Sequence, residues 1–154
     1  MEERLAQDFL DFIGTLNRHD VEFVLVGGYA LGVHGVIRAT GDIDFLYRRS
    51  TENVARLCRA LEEFGAPPVV IDPTSLMHPD MVSMFGNPPV RIDLLSSISG
   101  VTYAQVWKGR VTIALNDETL HVIGLTELRA NKAASGRAKD KSDLRLLDRA
   151  NRRR

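Results

Sequence analysis

The stretch that most constrains this chain is residues 23–47, FVLVGGYALGVHGVIRATGDIDFLY. Phe23, Val24, Leu25 and Val26 form an apolar run of high β-propensity, and Gly27-Gly28 ends it sharply. Tyr29, Ala30, Leu31, Val33 and His34 suit a short helix that Gly35 breaks. After a loop from Ile37 to Gly41, the run Asp42-Ile43-Asp44-Phe45-Leu46-Tyr47 reads as a second strand. Strand side chains alternate between faces, so Asp42 and Asp44 point one way and Ile43 and Phe45 the other. Two carboxylates about 7 Å apart along one strand face, aimed at one point, are suited to holding a divalent metal, and that is their expected work.

The rest of the chain alternates helix and strand. Leu5, Phe9, Phe12, Ile13 and Leu16 recur at helical spacing and predict a helix over 2–19. Ser50 or Thr51 can cap a helix running to Phe64, with Gly65 as its stop. Pro67-Pro68 is a rigid connection, and Val69-Val70-Ile71 reads as a brief strand. Residues 90–95, VRIDLL, return to strand character, with Arg91, Asp93 and Leu95 on one face. Residues 103–108 form a short helix or turn, and RVTIALN and TLHVIG form a hairpin through Asn116-Asp117-Glu118. A helix follows over 125–136, with Thr126 as its expected cap, and a last helix opens at Arg137 with Leu144, Leu147 and Ala150 facing inward. Parallel crossovers followed by a late hairpin imply an α/β (α+β) domain with a mixed sheet, flanking helices and two C-terminal helices.

With 154 residues, the chain is expected to form a single domain over 1–154, with a core over 20–125, a helical part over 126–150 and a basic tail over 150–154. One cysteine, Cys58, excludes a disulfide framework and points to a reducing, cytoplasmic setting. No apolar run approaches a membrane span. Charge is unevenly spread: residues 126–154 carry 10 Lys/Arg and 4 Asp/Glu, a net of +6, against −6 over residues 1–125. A basic segment beside an acidic body can attract nucleotide or nucleic-acid phosphate; for the last five residues a solvated helical face with a frayed tail is the favoured reading.

Asp93 stands among apolar strand residues, where a carboxylate is expensive unless paired or coordinated, so it is a candidate third acid; an edge-strand aspartate facing water is the alternative. Three aspartates on two neighbouring strands suit Mg²⁺ or Mn²⁺ and phosphoryl transfer, where two ions about 3.5–4 Å apart are a recurring arrangement. Gly27-Gly28 would let backbone N–H groups approach phosphates that a side chain would obstruct.

Gly27-Gly28, thirteen intervening residues, Asp42-Ile43-Asp44 and a later Asp93 resemble the nucleotidyltransferase superfamily with the polymerase-β-like fold. Within it, Gly27-Gly-Tyr-Ala-Leu31 with Arg38-Ala-Thr40-Gly-Asp42-Ile-Asp44, and the later Glu127, Lys132, Arg137, Lys139-Asp140 and Asp143-Leu144, look like the branch holding abortive-infection nucleotidyltransferase toxins and related small prokaryotic proteins. The resemblance implies transfer of a nucleoside monophosphate from an NTP to an acceptor hydroxyl on RNA, such as a tRNA, or on protein, in the setting of a toxin–antitoxin pair. It implies Asp42 and Asp44 as metal ligands, Asp93 as ligand or general base, Gly27 and Gly28 as a phosphate cradle, and Lys132 beside the triphosphate. Arg38 is a candidate phosphate contact, with a salt bridge to Asp42 as its alternative, and Thr40 is assigned chiefly to fixing the loop. Arg137, Lys139 and Asp140 are candidate acceptor or supporting residues. A cognate partner protein or a homodimer is expected to complete acceptor recognition.

Two other readings of these residues remain. A dinucleotide-binding fold also opens with strand, glycines and helix, yet its Gly-x-Gly-x-x-Gly spacing is not present here. A catalytically silent module that binds a nucleotide or a partner on the same fold would keep the same residues.

Overall fold

The computed structural model describes residues 5–152, so the first residues of the helix expected over 2–19 and the end of the basic tail lie outside the described residues. The elements run α1 (Gln7–Arg18), β1 (Phe23–Val26), α2 (Gly27–Val33), β2 (Asp42–Tyr47), α3 (Thr51–Phe64), α4 (Pro73–Leu76), β3 (Val82–Phe85), β4 (Arg91–Leu95), α5 (Tyr103–Gly109), β5 (Val111–Leu115), β6 (Glu118–Val122), α6 (Leu125–Ser135) and α7 (Ala138–Asn151). The six strands form one mixed sheet in the order β3-β4-β2-β1-β6-β5. β1 is antiparallel to β2 and parallel to β6, β2 is parallel to β4, and the outer pairs β3–β4 and β5–β6 are antiparallel.

Strand alternation divides the sheet into two unlike faces. Phe23, Leu25, Ile43, Phe45, Ile92 and Phe85 share one face by register and are all buried. Helices α1 and α3 supply the aromatic side chains that meet it. Phe12 of α1 sits with ring centroids 5.7 Å from both Phe45 and Phe85, and 4.9 Å from Phe64 of α3. Burying an aromatic or leucine side chain of this kind contributes about 1.5–3 kcal/mol each. The other face carries Val24, Val26 and Leu46, which are buried, together with Asp42, Asp44, Arg91 and Asp93.

Buried Asn53 of α3 ties the strand ends together. Its Oδ1 accepts from the Glu22 N–H at 2.7 Å, and its Nδ2 donates to the carbonyls of Glu22 and Arg48 at 2.9 and 2.8 Å. The α3 caps match the sequence expectation, since Ser50 Oγ accepts from the Asn53 N–H and Gly65 ends the helix in the left-handed region at φ 87°.

Three local expectations are corrected. Pro68–Val70 forms a 3₁₀ turn rather than a strand, because Pro67 and Pro68 donate no N–H to a ladder. Helix α6 starts at Leu125 with Gly124 as its cap, so Thr126 lies inside the helix and does not cap it. Along α7, Leu147 is buried and Ala150 packs half-buried against the core as expected, while Leu144 does not join it and Asp143 is buried instead. Residues 82–85, within a stretch whose sequence has no clear period, form the edge strand β3.

Candidate active site

The turn from β1 into α2 is where the site begins. Gly27 adopts φ +73°, a conformation that L side chains rarely take, and a Cβ built on it would overlap the Asp44 carboxylate. Val26, the last residue of β1, pairs with Asp44 across the sheet, which explains this close approach. A Cβ on Gly28 would lie 3.1 Å from Thr40 Oγ1. Thr40 in turn donates its hydroxyl to the Asp42 carbonyl at 3.0 Å and to Asp42 Oδ1 at 3.2 Å, so it fixes the loop that delivers the acidic strand.

Parallel pairing of β2 with β4 sets Asp44 opposite Asp93 and Asp42 opposite Arg91. Each of Asp42, Asp44 and Asp93 offers an oxygen, and these atoms lie within 4.8 Å of one another. The edge-strand alternative for Asp93 does not hold: β4 is flanked by β2 and β3, and Asp93 is 5% exposed. The three carboxyls titrate differently. Asp44 is pushed up to about 8, first by burial and then by the charges of Asp42 and Asp93. Asp93 is also raised, by burial and by Asp42 against the opposing pull of Arg91. Burial acts upward on Asp42 too, but hydrogen bonding to Asp93, the charge of Arg91 and the Thr40 hydroxyl together hold it below the usual carboxylate range.

The acids open into a cleft of about 580 Å³. Its lining includes the Gly27-Gly28 turn, Arg38 and Thr40 on the loop after α2, and Lys132, Arg137 and Lys139 from the C-terminal helical region. Lys132 is buried, with Nζ 3.0 Å from Asp143 Oδ2 and 3.3 Å from Asp140 Oδ1. Arg38 reaches the same group, donating from Nη2 to Asp143 Oδ2 at 3.1 Å. The alternative partner expected for Arg38, Asp42, is instead met by Arg91. Arg137 Nε donates to Asp140 Oδ2 at 2.8 Å. Asp140 is fully buried and does not line the cleft, so it supports Lys132 and Arg137 rather than facing a bound molecule.

Sequence reasoning assigned no part to Arg91, although its strand parity with Asp93 was a readable signal. It also missed the polar wall that Ser97, Ser99 and Asn131 add to the cleft, because nothing local links a loop after β4 to α6. There, Asn131 Nδ2 donates to the Ser99 carbonyl at 2.9 Å. Elsewhere, His34 is a core histidine, its Nε2 2.7 Å from the Ile123 carbonyl oxygen. Cys58 is free and buried. Among the described residues no helix is long and apolar enough to cross a membrane.

The profile of a family described as "Nucleotidyltransferase of unknown function (DUF6036)" matches residues 4–149. No curated protein matches the chain.

Proposed function

The chain belongs to this nucleotidyltransferase family, and from that premise we propose that it transfers a nucleoside monophosphate from an NTP to an acceptor hydroxyl on RNA or protein, with residues 1–154 acting as one catalytic domain. The observation that carries this reading is the convergence of Asp42, Asp44 and Asp93, with ligand oxygens within 4.8 Å of one another, beside the Gly27-Gly28 turn. The donor set fits a hard divalent cation, because it is made of carboxylate oxygens without thiolate or imidazole. Asp42 and Asp44, with Asp93 as a further ligand or as the general base, would hold Mg²⁺ or Mn²⁺, which when bound supplies positive charge to the triphosphate and to the attacking oxygen.

The remaining work falls to the chain's own groups. Gly27 and Gly28 let the turn pack tightly against Asp44 and Thr40, and their backbone N–H groups are the phosphate donors of this reading at the floor of the cleft. Arg137, whose side chain is 65% exposed, and Lys139 offer positive charge to the triphosphate from the opposite wall. The acceptor oxygen attacks the α-phosphorus, and the bond from that phosphorus to the oxygen bridging to the β-phosphate breaks. Pyrophosphate leaves with the electron pair. The acceptor's proton passes to a carboxylate of the acidic cluster.

A toxin–antitoxin setting in the cytoplasm, with a cognate partner or a second copy helping to bind the acceptor, is the context we infer from the resemblance to the abortive-infection branch. The test is transfer of label from each α-³²P-NTP to total RNA and to protein, with Mg²⁺ or Mn²⁺. Wild type is expected to label an acceptor, and Asp42→Asn and Asp44→Asn are not. Equal labelling by wild type and variants, or none with any NTP, overturns the reading and favours a silent binding module.

A further inference from the structure

A permanent cation is already built into the acidic cluster. Arg91 stands two residues before Asp93 on β4 and opposite Asp42 on β2, so the three side chains leave one face of the sheet. Its Nε donates to Asp93 Oδ1 at 2.9 Å and its Nη2 to Asp93 Oδ2 at 3.0 Å. The same Nη2 lies 3.0 Å from Asp42 Oδ2, and Asp42 Oδ1 accepts from Thr40. Both oxygens of Asp93 are therefore held in a guanidinium fork, and among the described residues no ion pair reaches Asp44.

Building on the nucleotidyltransferase reading, we propose that Arg91 takes the place of one of the two cations that such a carboxylate cluster would otherwise accept. The protein then binds a single divalent ion, held by Asp44 and Asp42, and Arg91 is a positioning residue that fixes Asp93 as the carboxylate receiving the acceptor's proton. Arginine does not give up its proton in proteins, so its charge is constant over the working pH range. With an ion bound and all three carboxylates ionised, the carboxylates and the guanidinium carry a net charge of −2, which a single divalent ion neutralises. A second ion on Asp93 would have to sit against the guanidinium that already grips both of its oxygens, and the two positive charges would repel. The fork does not exhaust Asp93 as a base, because each carboxylate oxygen keeps another lone pair.

The experiment counts Mn²⁺ bound per chain, by the electron paramagnetic resonance of the free ion and by calorimetric titration, on the whole protein. Wild type is expected to bind one ion and Arg91→Met two. Asp93→Asn is expected to keep the single ion at weakened affinity, since a nearby negative charge is lost, whereas Asp44→Asn loses it. If Arg91→Met fails to fold, Arg91→Gln, which retains a donor without the charge, carries the same count. Two ions in wild type, one ion in both wild type and the neutral Arg91 variant, or equal loss in Asp93→Asn and Asp44→Asn each overturn the proposal and leave the nucleotidyltransferase reading standing. No ion in any of these proteins overturns the metal-dependent reading itself, and the proposal with it.

Discussion

On the β2–β4 side of the cleft one arginine pairs with two of three carboxylates, Asp42 and Asp93, whereas on the α6–α7 side two carboxylates, Asp140 and Asp143, are met by Lys132, Arg137 and Arg38. The same residue type responds in opposite directions. Asp44 is pushed up to about 8 by burial and by its acidic neighbours. Asp140 is more completely buried, yet the hydrogen bond from Arg137 and the charge of Lys132 outweigh that burial and hold it below the usual range. Burial alone therefore does not mark a working carboxylate. What separates the two groups is whether the fold itself supplies the countercharge. The first cluster leaves negative charge for something outside the chain, whereas in the second three cations answer two carboxylates and hold α7 to α6 and to the loop that carries Arg38.

The sharpest way to break this comparison is Asp44→Asn. Label transfer should fall by at least about 10³-fold, the scale on which a charge-stabilising group matters in a catalytic site. The metal-free variant should melt at a higher temperature than wild type, because carboxylate repulsion is relieved. A lower melting temperature would mean that the acidic cluster, like the other, finds its countercharge within the fold. Next comes Lys132→Met, which leaves Asp140 and Asp143 each with one cation fewer. Removing one member of a buried ionic group costs about 3–5 kcal/mol, to be read from urea unfolding, and a loss below about 1 kcal/mol would show the lysine to be dispensable to the scaffold.

The pH dependence of stability should separate the clusters by sign, measured by urea unfolding of the protein in chelator. Asp44 has a folded pKa of about 8, above its unfolded value, so the folded chain holds an extra proton between about 4 and 8. Its contribution is complete below about 4 and is lost as pH rises through about 8. For Asp140 the folded value lies below the unfolded one. Its contribution is complete above about 4 and is lost as pH falls below that. The alkaline-side loss should disappear in Asp44→Asn and the acid-side loss should shrink in Asp140→Asn. The smallest effect is expected at Arg129→Ala, which removes the ion pair with Asp148. Both side chains are exposed, so unfolding free energy should change by about 0–1 kcal/mol.

Much of the site was legible because its signals are local. Gly27 reads as a stop, and the structure adds that Asp44 occupies the space a side chain would need. Asp42 and Asp44 share a face by strand parity alone. Asp93 could be read only as a candidate, since the cost of burying a carboxylate does not say who pays it. Asp140 could be read only as an acceptor or a supporting residue, because its partner Lys132 lies on the preceding helix, beyond the reach of helical periodicity. The strand expected at Val69–Ile71 failed because apolar β-branched character outweighed, in the reading, the missing donors of Pro67 and Pro68.

From its residues alone the chain determined most of its strands and helices, which side chains of a strand share a face, and that two acids follow a glycine turn. These are consequences of backbone stereochemistry and short-range periodicity. Only the tertiary structure decided that β2 pairs in parallel with β4 in the register that sets Asp44 beside Asp93 and Asp42 beside Arg91. It likewise decided that Lys132, Arg38 and Asp143 meet across three elements. Strand register and charge partnership depend on the packing of the whole core, and no local pattern of the sequence carries them.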